Sequence, residues 1–137
     1  MAEFLWSMFC ENAIVDRASN SLSLIGVIEQ FTVKQLPIII PQIFYVVSLW
    51  QKDSSHEGQE EVFRHRIKIN PEPEIESKKE MEFETKIPED KERMRTINGI
   101  RGIPISKEGN LYLIIEQYLE DEWKEVYKIR VKVKKVE

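Results

Sequence analysis

The end of the sequence alternates. Trp123, Tyr127, Ile129, Val131 and Val133 are apolar at every second position, with Glu125 the one exception, and Lys124, Lys128, Arg130, Lys132 and Lys134 stand between them. A repeat of two sorts apolar and cationic side chains onto opposite faces of an extended chain; a helix, with its repeat of 3.6, would mix them. Just upstream, Leu111–Leu119 is rich in β-branched and aromatic residues, and Glu120-Asp121-Glu122 supplies a polar reversal. Leu111–Val133 therefore reads as one long β-hairpin, with Trp123 as a core anchor. Such a hairpin needs further strands to pair with and a second layer to cover its apolar face.

The rest of the chain supplies both. Phe4–Asn12 is apolar on both parities (Phe4, Trp6, Met8 and Cys10; Leu5 and Phe9), the pattern of a strand covered on two sides. After a polar break at Asp16–Ser21, Leu22–Ile28 starts a second strand running on through Phe31 and Val33, and the two make a plausible hairpin. Gly26 inside that apolar run marks a bulge or a close backbone approach. Leu36-Pro37-Ile38-Ile39-Ile40-Pro41 is an edge segment or a corner between sheets, because neither proline has the N–H that a central strand needs. Gln42–Gln51 is the third strand. Glu61–Asn70 alternates Phe63, Ile67 and Ile69 against Arg64, Arg66 and Lys68, and pairs as a hairpin across the polar loop Lys52–Gly58.

Pro71-Glu72-Pro73-Glu74 ends that strand, and Lys79–Ile87 sets Met81, Phe83, Thr85 and Ile87 against Glu80, Glu82, Glu84 and Lys86. Met94–Ile105 is irregular, with Asn98-Gly99 and Gly102 as turns or bulges and Pro104 at an edge. The total is seven to eight strands joined by loops of 5 to 10 residues, with no sustained helical period. That spacing indicates an all-β, antiparallel β-sandwich, or a closed barrel. Strands apolar on both parities beside strands with one wet face favour the sandwich.

At 137 residues the chain is one domain, 1–137, and long enough to bury a core. A formal charge of −4 argues against a whole-molecule nucleic-acid binder, so nucleic acid is an unlikely partner. Cys10 is the single cysteine, which excludes an internal disulfide and suits a reducing, cytoplasmic setting. The apolar start MAEFLWSMFC contains Glu3 and has no Lys or Arg before Arg17, unlike a signal peptide. Leu36–Trp50, 15 residues interrupted by Pro37 and Pro41, is too short for a transmembrane segment.

No constellation rises to a catalytic, cofactor or metal site. His56 and His65 are nine residues apart with only Cys10 as a soft partner, short of the three or four convergent ligands zinc requires; a half-buried His65 with a local hydrogen bond explains the pattern. The aspartates Asp16, Asp53, Asp90 and Asp121 fall in four separate loops, so turn formation accounts for them better than calcium binding. Cys10 lies in an apolar strand near Trp6 and Phe9, where a thiol is inert. The chain has no Gly-x-Ser-x-Gly elbow, and Asn98-Gly99-Ile100-Arg101-Gly102 fits no phosphate-binding loop. The expectation is a non-enzyme without cofactors.

Two surfaces remain as candidates. One is a basic strip of Arg64, Arg66 and Lys68 with Lys124, Lys128, Arg130, Lys132 and Lys134, able to meet phosphates or an acidic protein if those strands are neighbours. Against it, Glu80, Glu82 and Glu84 can neutralise the cations across strands, and no aromatic residue shares the basic parity to stack a base. The other is the apolar segment around Leu36, Ile38, Ile39 and Ile40, a surface for a protein partner or self-association if exposed and a sandwich corner if covered.

The opening also carries a resemblance. An apolar strand running into Cys10-Glu11, a short polar break, then Asn20-Ser21-Leu22-Ser23-Leu24-Ile25-Gly26-Val27 is similar to a family of small bacterial and phage proteins of unknown function. A proline-containing segment (Leu36–Pro41), a strand like Phe44–Trp50 and a Gly109-Asn110-Leu111-Tyr112 entry into the final hairpin continue the likeness. It implies an immunoglobulin-like or C2-like sandwich and brings no activity or catalytic residues. The expected role is a non-catalytic interaction or assembly module. Alternatives are a ligand-binding or enzymatic sandwich with a loop-built site, or binding of an anionic nucleic-acid or membrane surface through the basic strands.

Overall fold

The computed structural model describes residues 1–71 and 79–136, and within them nine strands: β1 (Glu3–Val15), β2 (Leu22–Val27), β3 (Gln30–Val33), β4 (Ile38–Gln51), β5 (Glu61–Pro71), β6 (Lys79–Ile87), β7 (Arg93–Ile105), β8 (Gly109–Leu119) and β9 (Glu122–Lys135). The expectation that Pro71–Glu74 ends a strand falls largely outside the described residues. The strands form two packed sheets, one ordered β2-β1-β4-β7 and the other β3-β9-β8-β5-β6. An all-β sandwich is what the alternation demanded. The count exceeds expectation because the run Leu22–Val33 is two strands: Ile28 and Glu29 carry the chain from one sheet to the other. Nor is every pair antiparallel, since β3 runs parallel to β9, with Phe31 opposite Val133.

Hairpins join β1 to β2, β5 to β6 and β8 to β9. The last turns on Glu120 (φ 52°) and Asp121 (φ 65°), two successive left-handed residues whose twist matches the flanking strands. The hairpin expected between Gln42–Gln51 and Glu61–Asn70 does not form, because β4 and β5 lie in different sheets. The connection instead crosses the roughly 10 Å between layers, pinned by Lys52. That side chain is buried, its ammonium donates to the carbonyls of Pro88 (2.7 Å) and Glu89 (3.4 Å), and its backbone N–H donates to Glu92 O (2.7 Å). Asp53 then caps the 3-10 turn Ser54–His56.

The proline segment is also resolved differently from a corner. Ile38, Ile39 and Ile40 extend β4 and pair with Ile105, Pro104 and Ile103 of β7 alone, whereas β1 meets β4 only from Tyr45 onward. One side of this stretch is thus free of ladder partners, which is what Pro37 requires. Pro41 sits in the bulge between Ile40 and Ile43, opposite Gly102, whose φ of +73° absorbs the bend.

Between the sheets lies a continuous apolar core. At one end Phe9, Phe31 and Phe44 pack ring on ring; at the other Trp50 lies against Phe63 and His65, with centroids at 4.7 and 5.1 Å. The Trp50 indole donates its N–H to Thr96 Oγ1 at 3.0 Å, so the buried ring is also satisfied.

Candidate functional site

The outer face of the five-stranded sheet carries the expected basic strip apart from Lys124, which pairs with the inward-facing Gln117, and pairing shows its context. Arg64, Arg66 and Lys68 of β5 stand opposite Glu84, Glu82 and Glu80 of β6. Glu82 binds Arg64 at 3.3 Å, Glu80 binds Arg66 at 3.0 Å, and Glu116 of β8 binds both Arg66 (2.5 Å) and Lys68 (3.5 Å). This half of the strip is neutralised across strands. On the far side of β8, Lys128 reaches Glu125 at 3.8 Å. Arg130, Lys132 and Lys134 alternate along β9 and have no ion pair among the described residues; Lys132 and Lys134 lie beside Gln30 and Thr32 of β3. The two cation rows share a face but are not neighbours, because β8 separates them.

Aromatic side chains do occupy this face, contrary to the strict period-two pattern. Register slips between Ile115 and Glu116 because Val126 is an extra residue in β9: Tyr127 faces Ile115 while Glu125 faces Glu116. A bulge of one residue reverses facing beyond it. Trp123 is therefore not a core anchor. It pairs with Tyr118 on the outer face, half-buried, where the guanidinium of Arg66 lies 4.3 Å from its ring centroid. Arg64 lies 4.6 Å from the Tyr118 ring, and Lys128 lies 5.0 Å from Tyr112. Beyond the bulge Ile129, Val131 and Val133 do face the core, as the alternation required.

The titratable candidates have local structural partners. His65 is buried (1% exposed) between the rings of Phe63 and Phe83, and Nε2 bonds Thr85 Oγ1 at 3.1 Å. Burial holds its pKa down at about 4, so the ring is neutral at pH 7. Cys10 is wholly buried with its thiol near Tyr45 O (3.7 Å), and desolvation raises its pKa. Asp16 accepts the Ala18 N–H at 2.8 Å in the β1–β2 turn, Asp53 caps the 3-10 turn, and Asp121 lies in the last hairpin. Among the described residues no three His, Cys, Asp or Glu side chains converge as metal ligands.

Of the apolar segment, Ile40 is buried in the core, Leu36 and Ile38 are partly buried against it, and Ile39 stands 67% exposed. Ile40 is therefore no surface residue, whereas Ile39, opposite Pro104, flanks a larger feature.

That feature is the outer face of the four-stranded sheet. In its register Val27, Cys10, Tyr45 and Gly99 form one row across β2, β1, β4 and β7; Met8, Val47 and Ile97 form the next, and Trp6, Leu49 and Arg95 the one after. Ile25 beside Asn12, Ile14 beside Ser23, and Ile43 beside Arg101 extend it the other way. Met8, Ile14, Ile25, Val27, Ile43 and Ile97 are 39–50% exposed. Gly99 leaves room for the Ile43 and Tyr45 side chains to lie over β7; a Cβ there would come within 2.9 Å of Ile43 Cδ1. From the Trp6 row to the Ile14 row, the described residues place no carboxylate on this face. Its charges are Arg95 and Arg101 on the edge strand β7, with Glu3 and Arg93 either side of the neutral Gln51 in a row at its end. The signal was in the sequence: β1 and β4 are apolar on both parities, and the second parity has no layer over it.

The sequence matches, over residues 5–132, the model of a family described as being of unknown function, DUF6941. The chain belongs to that family. None of the curated proteins compared with it matches. The match spans both sheets, from the Leu5 bulge of β1 to Lys132 of β9. Among the described residues of this member no helix is long and apolar enough to cross a membrane.

Proposed function

We propose that this DUF6941 member is a non-catalytic, single-domain interaction module that docks a protein partner on the outer face of its four-stranded sheet. The observation that carries the reading is the concentration of half-exposed Met8, Ile14, Ile25, Val27, Ile43 and Ile97 on one flat face. Scattered exposed apolar residues are ordinary, but a contiguous patch rimmed by polar groups marks an interaction site. A non-catalytic role is supported by His65 and Cys10, the two candidate reactive groups, each buried with a local partner. A cytoplasmic, reducing setting suits an unpaired Cys10, and the bacterial or phage setting suggested by the Cys10–Val27 pattern belongs to the same proposal. Kinship with immunoglobulin-like or C2-like domains is supported by two-sheet architecture alone.

The test is a pair of solution measurements, sedimentation and binding of a hydrophobic fluorescent dye, on the wild type and on Ile25→Glu/Val27→Glu. An accessible apolar face must either bind dye or be covered by association, and the double variant should abolish whichever occurs. A wild type that neither binds dye nor associates would overturn the reading.

A second reading rests on Arg130, Lys132 and Lys134, which lack carboxylate partners among the described residues. Three cations on one side of a strand lie about 6.6 Å apart, a row able to meet a phosphate backbone or an anionic membrane. Lys132→Glu should then weaken binding of single-stranded nucleic acid or anionic vesicles, and the interaction should fall with salt. Binding that survives high salt contradicts it.

A further inference from the structure

Resting on the second reading above, we infer that the row of cations on β9 binds an extended single-stranded nucleic acid, its phosphates along Arg130, Lys132 and Lys134 and one of its bases against the Tyr112 ring.

Charge comes first. Although the chain carries a net −4, residues 30–33 of β3, 109–114 of β8 and 128–135 of β9 contain no Asp or Glu. These segments are neighbours in one sheet, so their outer side is a patch of cations and neutral polar groups. Lys132 stands between Gln30 and Asn110, and Lys134 beside Thr32. At the rim Glu125 holds Lys128 at 3.8 Å, Glu108 Oε2 accepts the Lys135 N–H at 3.2 Å, and Glu29 falls on the parity of the core-facing Phe31. Arg130, Lys132 and Lys134 are exposed, and the negative remainder of the molecule limits attraction to what this patch touches directly.

Spacing and the ring select the ligand. Alternate residues of a strand recur at about 6.6 Å, close to the phosphate step of an extended nucleic-acid strand, so consecutive phosphates meet consecutive cations. Tyr112 is the cross-strand partner of Arg130 and is half-buried on the same face, one strand from the row. Lys128 Nζ lies 5.0 Å from its ring centroid, so the outward ring face is open to a partner, and Glu125 holds Lys128 when a base takes that place. A cationic track with an aromatic platform beside it suits sequence-tolerant single-strand binding. A duplex curves its phosphates away from a straight row and needs a helix or ribbon to enter its groove, which this face lacks. An anionic membrane would gain about fivefold per cation and nothing from Tyr112; an acidic peptide would leave the ring equally unused.

Fluorescence anisotropy of a labelled oligodeoxythymidine of about 12 nucleotides, titrated with the full chain at about 50 to 200 mM salt, is the test. Binding is expected, with log K falling against log salt at a slope of about −2, the value for three phosphate contacts on a single strand. Lys132→Ala should bring that slope to about −1.4. Tyr112→Leu, which keeps an apolar side chain, should weaken binding about tenfold at unchanged slope and unchanged far-ultraviolet spectrum. Arg64→Ala, at a cation already paired with Glu82, should change neither. A hairpin duplex, phosphatidylserine–phosphatidylcholine vesicles and polyglutamate are the competing probes. Any of them bound as tightly as the oligonucleotide, or Tyr112→Leu without effect, overturns the single strand while leaving the anion-binding row standing. Binding of none of the four probes overturns both, as does binding that Lys132→Ala and salt leave untouched.

Discussion

The two outer faces of the sandwich solve the same problem in opposite ways. Around Arg64, Arg66 and Lys68 the outward rows of the five-stranded sheet mix signs and rings: Glu80, Glu82 and Glu116 hold these three cations, and Trp123, Tyr118 and Tyr112 lie under cations. That half of the face is complete in itself. On the four-stranded sheet the outward rows are apolar, half-exposed and uncharged except on one edge strand. Self-satisfied charge does not identify a ligand, whereas uncovered apolar area states that something is missing.

The contrast breaks most sharply at matched buried positions. Val47 (0% exposed) and Ile114 (3% exposed) each sit mid-strand on an outer face, covered by taller neighbours. Val47→Asp places a carboxylate among Met8, Ile97 and other apolar groups and should cost about 3–5 kcal/mol in denaturant unfolding. Ile114→Asp places one between Lys68 and Lys128, its cross-strand partners, and should cost less than half as much. Equal costs would mean the two faces are equally apolar.

Acid distinguishes the sheets next. His65 belongs to the five-stranded sheet and titrates at about 4 when folded, against 6.5 in the free chain. The unfolded chain therefore binds the proton first: stability is full above pH 6.5 and falls as pH drops towards 4, by up to about 3 kcal/mol. Amide exchange should show β5 and β6 loosening, and His65→Phe should flatten the acid limb. A limb unchanged in that variant would assign acid sensitivity elsewhere.

Smaller effects sharpen the comparison by their salt dependence. Arg66→Ala removes bonds to Glu80 and Glu116 and a ring contact, and should cost about 1 kcal/mol, shrinking as salt screens the network. Trp123→Ala on the same face should cost about 1 kcal/mol or less; a loss of about 3–5 kcal/mol would return Trp123 to the core. Ile25→Thr, on the apolar face, should change unfolding by no more than about 0.5 kcal/mol at any salt concentration.

Much of this was legible in the residues. Strict alternation gave the facing of Phe63, Ile67 and Ile69 against Arg64, Arg66 and Lys68, and the glutamates of β6 were available as their partners. Gly26, with φ +66° and its Cβ position filled by Glu11, is the close approach its place in an apolar run implied. Sheet membership was not legible, because the polar loop after β4 serves a hairpin or a crossover equally well and only the buried Lys52 decides it. The facing of Trp123 turned on one extra residue, Val126, and its trace was the break in alternation at Glu125. The apolar docking face was hidden in plain pattern: apolarity on both parities of β1 marks two faces that want cover, and a single chain supplies cover for one.

The parallel pairing of β3 with β9 sets a timetable. Among the described residues Gln30 to Val33 take their ladder partners from Lys132 to Lys135 alone, about a hundred residues later in the chain. β1, β2, β4 and β7 can assemble without β9, but β3, made early, must wait for the last-made strand, a closure of long sequence separation and correspondingly slow. Pulse-labelled exchange during refolding should find Phe31 and Val33 among the last amides protected. Through that interval an unpaired strand and an apolar sheet face are open together, which makes dilution and the presence of a chaperone the conditions under which this chain folds best.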